Sequence, residues 1–236
     1  MSDKRVTIRD VGRWYDSFHG GSAAHDDLDV WSAKYFYRML NLPQPVRLLD
    51  VGCGTGGMLQ VASGAGHDVA GLDVSGKAVD IARQRAPSAD VRCGDAGALP
   101  WESDSFDVVT CLGALEHFLD IPGALREMLR VGKDTCEYMI VVPNRSYLPW
   151  LISRNPGTQQ QDIRETLMTL RGWRSTLEGS GLHIKEIRAD RRPLTRTWLR
   201  MPGSGLRRIA RAVKALVLRM MPLNFQYQFV FLAAKA

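Results

Sequence analysis

Cysteine is scarce and scattered: the 236-residue chain has four, Cys53, Cys93, Cys111 and Cys136, and no two form a C-x-x-C pair. That spacing excludes a zinc ribbon and a dithiol redox centre, and implies reduced, mostly buried thiols. No run reaches the ~18 consecutive apolar residues of a membrane span. The opening Met1-Ser2-Asp3-Lys4-Arg5 leads into no apolar stretch of a secretory signal, so a cytoplasmic setting is expected. Internal repeats and low-complexity tracts are absent, and 45% hydrophobic against 24% charged residues is a globular balance. Acid is nearly missing from one segment. Residues 188–220 hold ten basic side chains against Asp190 alone, a local charge of +9 in a chain of net charge +6. An electrostatic partner is expected there.

What is present is an alternation of strands and helices over a length that suits one large α/β domain. Strands are predicted at residues 47–51, 68–73, 90–93, 106–112, 138–142, 182–188 and 225–232. Helices are predicted around residues 58–63, 76–86, 121–131 and up to 178. Ser75 and Asp120 are N-caps, and Pro122 stands in the first turn of its helix. Before the first strand, residues 31–42 have helical spacing, and Trp14, Tyr15 and Phe18 precede Gly20-Gly21. This segment, residues 1–43, is expected to be a helical lid or cap. The remaining domain, residues 44–236, carries a basic insert at about 189–224.

The densest signal is Leu48-Leu49-Asp50-Val51-Gly52-Cys53-Gly54-Thr55-Gly56. Apolar strand residues run into a glycine-rich turn and then a helix, and bare backbone there admits a ligand closely. Gly52, Gly54 and Gly57 satisfy G-x-G-x-x-G, so a nicotinamide-dependent oxidoreductase is one reading. Asp50 argues against it, because a carboxylate repels a pyrophosphate and attracts a cation. Asp73 ends the second strand, where a carboxylate can accept both ribose hydroxyls. Asp95 follows the third, in Gly94-Asp95-Ala96 with Leu99-Pro100 and Phe106-Asp107 beyond.

D-x-G-x-G-x-G, with these acids and the G-D-A…L-P…F-D-x-V stretch, resembles the class I S-adenosylmethionine-dependent methyltransferases. The resemblance covers about residue 44 to the C-terminus. It implies a doubly wound, mostly parallel seven-stranded sheet whose last strand runs antiparallel between strands five and six. S-adenosylmethionine is the implied cofactor, with Asp50, Gly52, Cys53, Gly54, Asp73, Val74, Asp95, Ala96 and Leu112 as its binding residues. Leu115-Glu116-His117 at the end of strand four is similar to the O-methyltransferases of ubiquinone biosynthesis. By that likeness Glu116 and His117 are the candidate catalytic pair, with His117 as general base. In that subfamily an E-x-x-E-H cluster has been linked to a divalent metal. Gly113 replaces its first glutamate here, and no metal is assigned.

In the insert, residues 206–221 form a helical wheel. Leu206, Ile209, Ala210, Val213, Leu216, Val217, Met220 and Met221 share one face, and Arg207, Arg208, Arg211, Lys214 and Arg219 the other, with Leu218 an apolar intruder among them. Two readings stay open: the apolar face packs on its own domain, or it lies on an anionic membrane surface. Nucleic acid is disfavoured because Trp198 is the sole stacking aromatic there. The chain is thus expected to be an enzyme that methylates a small or lipid-linked acceptor at oxygen. A cofactor-binding regulator with a basic arm is the non-catalytic alternative.

Overall fold

Leu48 and Leu49, neighbours in the first strand, belong to the two opposite cores of one sheet, and both are fully buried. The computed structural model describes residues 6–18, 24–42, 45–153, 165–192 and 204–236. Its strands are β1 (Arg47–Val51), β2 (Asp68–Asp73), β3 (Asp90–Cys93), β4 (Phe106–Leu112), β5 (Gly132–Pro143), β6 (Leu182–Ala189) and β7 (Gln228–Lys235). They lie in the order β3-β2-β1-β4-β5-β7-β6. β1 to β5 pair in parallel, and β7 pairs antiparallel with both β5 and β6, as the resemblance implied.

The helices are α1 (Ile8–Phe18), α2 (Ala24–Leu40), α3 (Gly57–Gly64), α4 (Gly76–Arg85), α5 (Ile121–Val131), α6 (Leu148–Ser153), α7 (Leu170–Gly179) and α8 (Gly205–Met220). Ser75 caps α4 by accepting from the Ala78 amide, and Asp120 caps α5 by accepting from Gly123. Period-two alternation divides the apolar residues of the central strands between the two faces. Val109, Ile140 and Phe231 meet α5 and α7 on one side. Val108, Met139 and Val230 meet α2, α3 and α4 on the other.

Several bounds differ from the sequence expectation. β5 starts at Gly132, six residues early, because its polar stretch from Lys133 to Glu137 shows no apolar run. β7 starts three residues late: Leu223–Phe225 is a 3₁₀ turn with Phe225 exposed, and pairing begins at Gln228 opposite Pro143. The expected boundary at residues 43–44, the polar stretch 155–162 and residues 193–203 of the insert lie outside the described residues. The N-terminal segment divides in two. α2 buries Ala33, Phe36 and Leu40 in one of the cores, while α1 lies against the carboxyl ends of the strands.

α8 overturns the packing reading of the insert. Leu206, Ile209, Val213, Leu216, Val217 and Met220 are 50–81% exposed. Leu218, the expected intruder, is instead buried. The Gln226 side chain donates to the Leu218 and Met221 carbonyls and so ties down the helix's C-terminal end. The wheel was correct, but a wheel does not say which face meets the domain.

Candidate functional site

The turn after β1 is built by hydrogen bonds that leave little for a phosphate. The Gly52 and Cys53 amides both donate to the Leu72 carbonyl, at 2.7 and 3.0 Å. The Gly54 amide donates to Asp73 Oδ2 at 2.8 Å, and the Gly56 amide to the Cys53 carbonyl. Gly52 has φ +75° and a Cβ there would collide with Ala114, so no other residue fits. A dinucleotide turn instead aims its amides at the pyrophosphate. Four committed amides remove that use.

Asp50 lies beneath this turn, 3% exposed, accepting from the Thr110 hydroxyl at 2.6 Å. Burial pushes its carboxyl up to about 7; the Thr110 bond opposes this, and Asp29 and Asp73 add to it. A buried acid among acids is a place for a positive ligand group. Asp73 accepts from both Gly54 and the Ser75 amide, which fixes its carboxylate at the rim. Asp95 accepts from the Gly97 amide in the β3 loop.

These residues line one cavity of about 370 Å³ at the carboxyl ends of the strands. All nine expected cofactor residues face it: Asp50, Gly52, Cys53, Gly54, Asp73, Val74, Asp95, Ala96 and Leu112. It is also walled by the apolar Ile8, Val11, Phe36, Phe118 and Leu119. Among the described lining residues only Arg192 and His117 are basic, and Arg192 is engaged by Asp190 at 2.8 Å and by Gln228. The cavity therefore suits a cationic, partly apolar ligand and not a diphosphate. This is the fit expected of S-adenosylmethionine, which carries a sulfonium and an ammonium.

The expected catalytic pair divides. His117 lines the cavity, with the Tyr15 ring edge-on at 6.1 Å between centroids. Glu116 does not line it and stands behind, its Oε1 4.0 Å from His117 Nε2. Burial, then Glu165, pushes the Glu116 carboxyl up to about 8. Burial first, then Glu116, Asp73 and Glu165, raises the Tyr15 phenol. Thr110, Gln228 and Glu165 were not singled out from sequence, whereas Tyr15 was expected in the lid segment. Each of those three is remote along the chain or carries no motif, and only the fold brings it in.

Residues 49–139 match the family model described as a methyltransferase domain. A demethylmenaquinone methyltransferase from Renibacterium salmoninarum is 42% identical over 87 residues, 37% of this chain and 37% of that protein. The chain thus spans little more than a third of that relative's length. A ubiquinone biosynthesis O-methyltransferase from Coxiella burnetii is 25% identical over 189 residues, 67% of this chain and 79% of that one. Among solved structures, the cyclase SpnF superposes with a TM-score of 0.65 at 23% identity, over 98% of this chain and 97% of that one. That likeness shows the fold alone, and its cyclase name shows that the fold does not fix the reaction. A family model described as a methyltransferase domain is matched from β1 into β5, and the seven-stranded sheet closed by an antiparallel β7 is that of the Rossmann-like methyltransferases, a likeness that implies S-adenosylmethionine as the cofactor.

Proposed function

We propose that this chain transfers a methyl group from S-adenosylmethionine to an oxygen of a small, lipophilic or lipid-linked acceptor at a membrane surface. The observation that carries the reading is the mixed lining of one cavity, in which the acids Asp50, Asp73 and Asp95 stand among apolar walls. When bound, S-adenosylmethionine supplies a methyl group already activated on a sulfonium. Asp50 stabilises the positive end, Asp73 accepts the two ribose hydroxyls, and Asp95 with Ala96 receives the adenine edge. Gly52, Cys53, Gly54, Val74 and Leu112 form the surface along which the ligand lies.

His117 takes the acceptor's proton. Glu116 is a positioning residue that orients the imidazole. α1 is a lid: Ile8, Val11 and Tyr15 line the cavity and exclude water. The relatives' names, demethylmenaquinone and ubiquinone methyltransferase, favour an acceptor of quinol type. α8, with its bare apolar face and arginines, docks on anionic lipid and holds the enzyme at the inner face of a membrane.

Calorimetry with S-adenosylmethionine, S-adenosylhomocysteine and NAD(H) in parallel tests the cofactor half. The first two are expected to bind one per chain and NAD(H) not at all. Binding of NAD(H) alone would overturn the reading. For the acceptor half, a quinol with an isoprenoid tail in anionic vesicles is expected to be methylated faster than the tailless quinol in solution. Equal rates would remove the lipid-linked acceptor.

A further inference from the structure

The Gln228 side chain can face only one way. Gln228 opens β7 opposite Pro143 at the end of β5, is 9% exposed and lines the cavity. Arg192 Nη2 stands 2.9 Å from its Oε1. A guanidinium carries donors alone, so the atom turned to it is the amide oxygen. The amide nitrogen then points away from Arg192, and among the described residues nothing accepts its two hydrogens.

Arg192 is itself held firmly. Its Nε and Nη2 donate to the buried Asp190 carboxylate at 2.9 and 2.8 Å, and its backbone amide donates to Asp190 Oδ1 at 2.9 Å. Nη1 donates to Ser32 Oγ on α2 at 2.8 Å, and the guanidinium lies over the Phe36 ring, 4.7 Å from its centroid. The Asp190 amide in turn donates to the Gln228 carbonyl at 3.2 Å. Residues from α2, β7 and the end of β6 thus fix the rotation of one amide. A donor oriented in advance loses little freedom when a ligand arrives.

The amide's place in the sheet shows what it serves. The acids expected to hold the cofactor stand on or just after β1, β2 and β3. In the order β3-β2-β1-β4-β5-β7-β6, Gln228 lies across β4 and β5 from them. A Cβ on Gly113, directly after β4, would stand 3.9 Å from Gln228 Nε2 and 4.0 Å from Glu116 Oε1. Gly113 carries none, which leaves an opening between the amide and the turn that bears His117. This is the β4 end at which the acceptor is expected.

We propose that the Gln228 amide donates a hydrogen bond to a second oxygen of the acceptor, one that is not methylated, with Arg192 as the positioning residue. The assignment rests on the methyl-transfer reading and narrows its acceptor to a hydroxyl compound with a second, hydrogen-bond-accepting oxygen. An acceptor with carbon at that place leaves the amide hydrogens unpaired in a cavity from which water is excluded. A site built to bond an oxygen rejects such an analogue.

The test gives the full chain two acceptors with the same isoprenoid tail. One is a quinol monomethyl ether, whose second oxygen accepts but cannot donate, and the other has a methylene in place of that oxygen. Wild type is expected to favour the ether by about tenfold or more in kcat/KM. Gln228→Met, close in volume and without donors, and Gln228→Glu, which still accepts from Arg192, are each expected to abolish the preference. Arg192→Lys keeps a charge beside Asp190 but cannot fork to the amide, and is expected to lower the preference in part. Calorimetric affinity for S-adenosylhomocysteine should stay unchanged in these variants, and circular dichroism checks that each is folded. A wild type that methylates neither acceptor would defeat the acceptor reading, and this assignment with it. Methylation of both without preference, or a preference kept in the folded Gln228 variants, would overturn the assignment alone. Weaker S-adenosylhomocysteine in those variants, with unchanged binding of methylthioadenosine, which lacks the amino-acid tail, would give the amide to the cofactor's carboxylate and overturn it too.

Discussion

The Asp16 carboxylate accepts a hydrogen bond from the Ser75 hydroxyl at 2.7 Å, and the same oxygen accepts from the Lys77 amide at 3.1 Å. α1 is thereby fastened to the N-terminus of α4, two residues from Asp73. Ser75 serves both elements, since its hydroxyl oxygen also caps α4. Gly12 permits the close packing: a Cβ there would stand 2.9 Å from the Val74 carbonyl.

Asp16→Ala is expected to loosen α1 without unfolding the domain. It removes two hydrogen bonds to a charged acceptor at a helix N-terminus, together worth about 1–3 kcal/mol. Hydrogen exchange in Ile8–Phe18 should speed up while β4 and β5 keep their protection. S-adenosylhomocysteine should also leave faster. Unchanged exchange across α1 would show that this contact does not hold the helix down.

Asp50 links stability to cofactor binding. Its folded-state pKa of about 7 lies above the ordinary 3.8, so the folded chain holds a proton that the unfolded chain releases between those values. Stability therefore falls as pH rises from about 4 to about 7, by up to roughly 4 kcal/mol, and is then flat. Asp50→Asn can still accept from Thr110 and should melt higher than wild type at pH 8, with no difference near pH 4. The same variant should bind S-adenosylmethionine at least about tenfold more weakly, having lost the charge. A variant that is neither more stable at pH 8 nor weaker in binding would mean that Asp50 is ordinary core.

The fold was legible wherever one local rule acted alone. The glycine turn, the Ser75 and Asp120 caps and the strands β1, β2 and β4 each carry their own signal. Failures arose where the deciding partner was distant. Leu218 looked misplaced on its wheel because the wheel contains no Gln226 and no sheet. Glu165 carried no signal in the sequence, because its neighbour Thr166 reaches Glu116 through a backbone amide that no side-chain pattern encodes. Glu116 and His117 are adjacent in sequence and were treated as one pair. The 3₁₀ turn at Leu115–His117 sends one to the cavity and the other behind it.

His117→Ala is expected to lower turnover about 10²–10⁴-fold if the imidazole acts as the base. Calorimetric affinity for S-adenosylhomocysteine should stay close to wild type. The pH–rate profile should lose its acid limb, a change that a merely structural histidine would not produce. Wild-type turnover by the His117 variant would reduce this residue to a wall of the cavity.

α8 supplies the last prediction. Six large apolar side chains stand in solvent on one face of a single helix, and Arg207, Arg208 and Arg219 are exposed around it. Burying that face in the acyl boundary returns free energy that water now withholds, and each basic residue near an anionic surface adds about 1 kcal/mol. The protein should therefore co-sediment with anionic liposomes, release with salt, and pass over zwitterionic ones. Arg207, Arg208 and Arg211 changed together to Glu should abolish retention. Ile209→Asp is the sharper variant, because Ile209 is 63% exposed. It should cost the fold almost nothing while weakening liposome binding, whereas an Ile209 that packs on the domain would lower the melting temperature by several degrees. Loss of stability with intact sedimentation would remove α8 from the membrane surface.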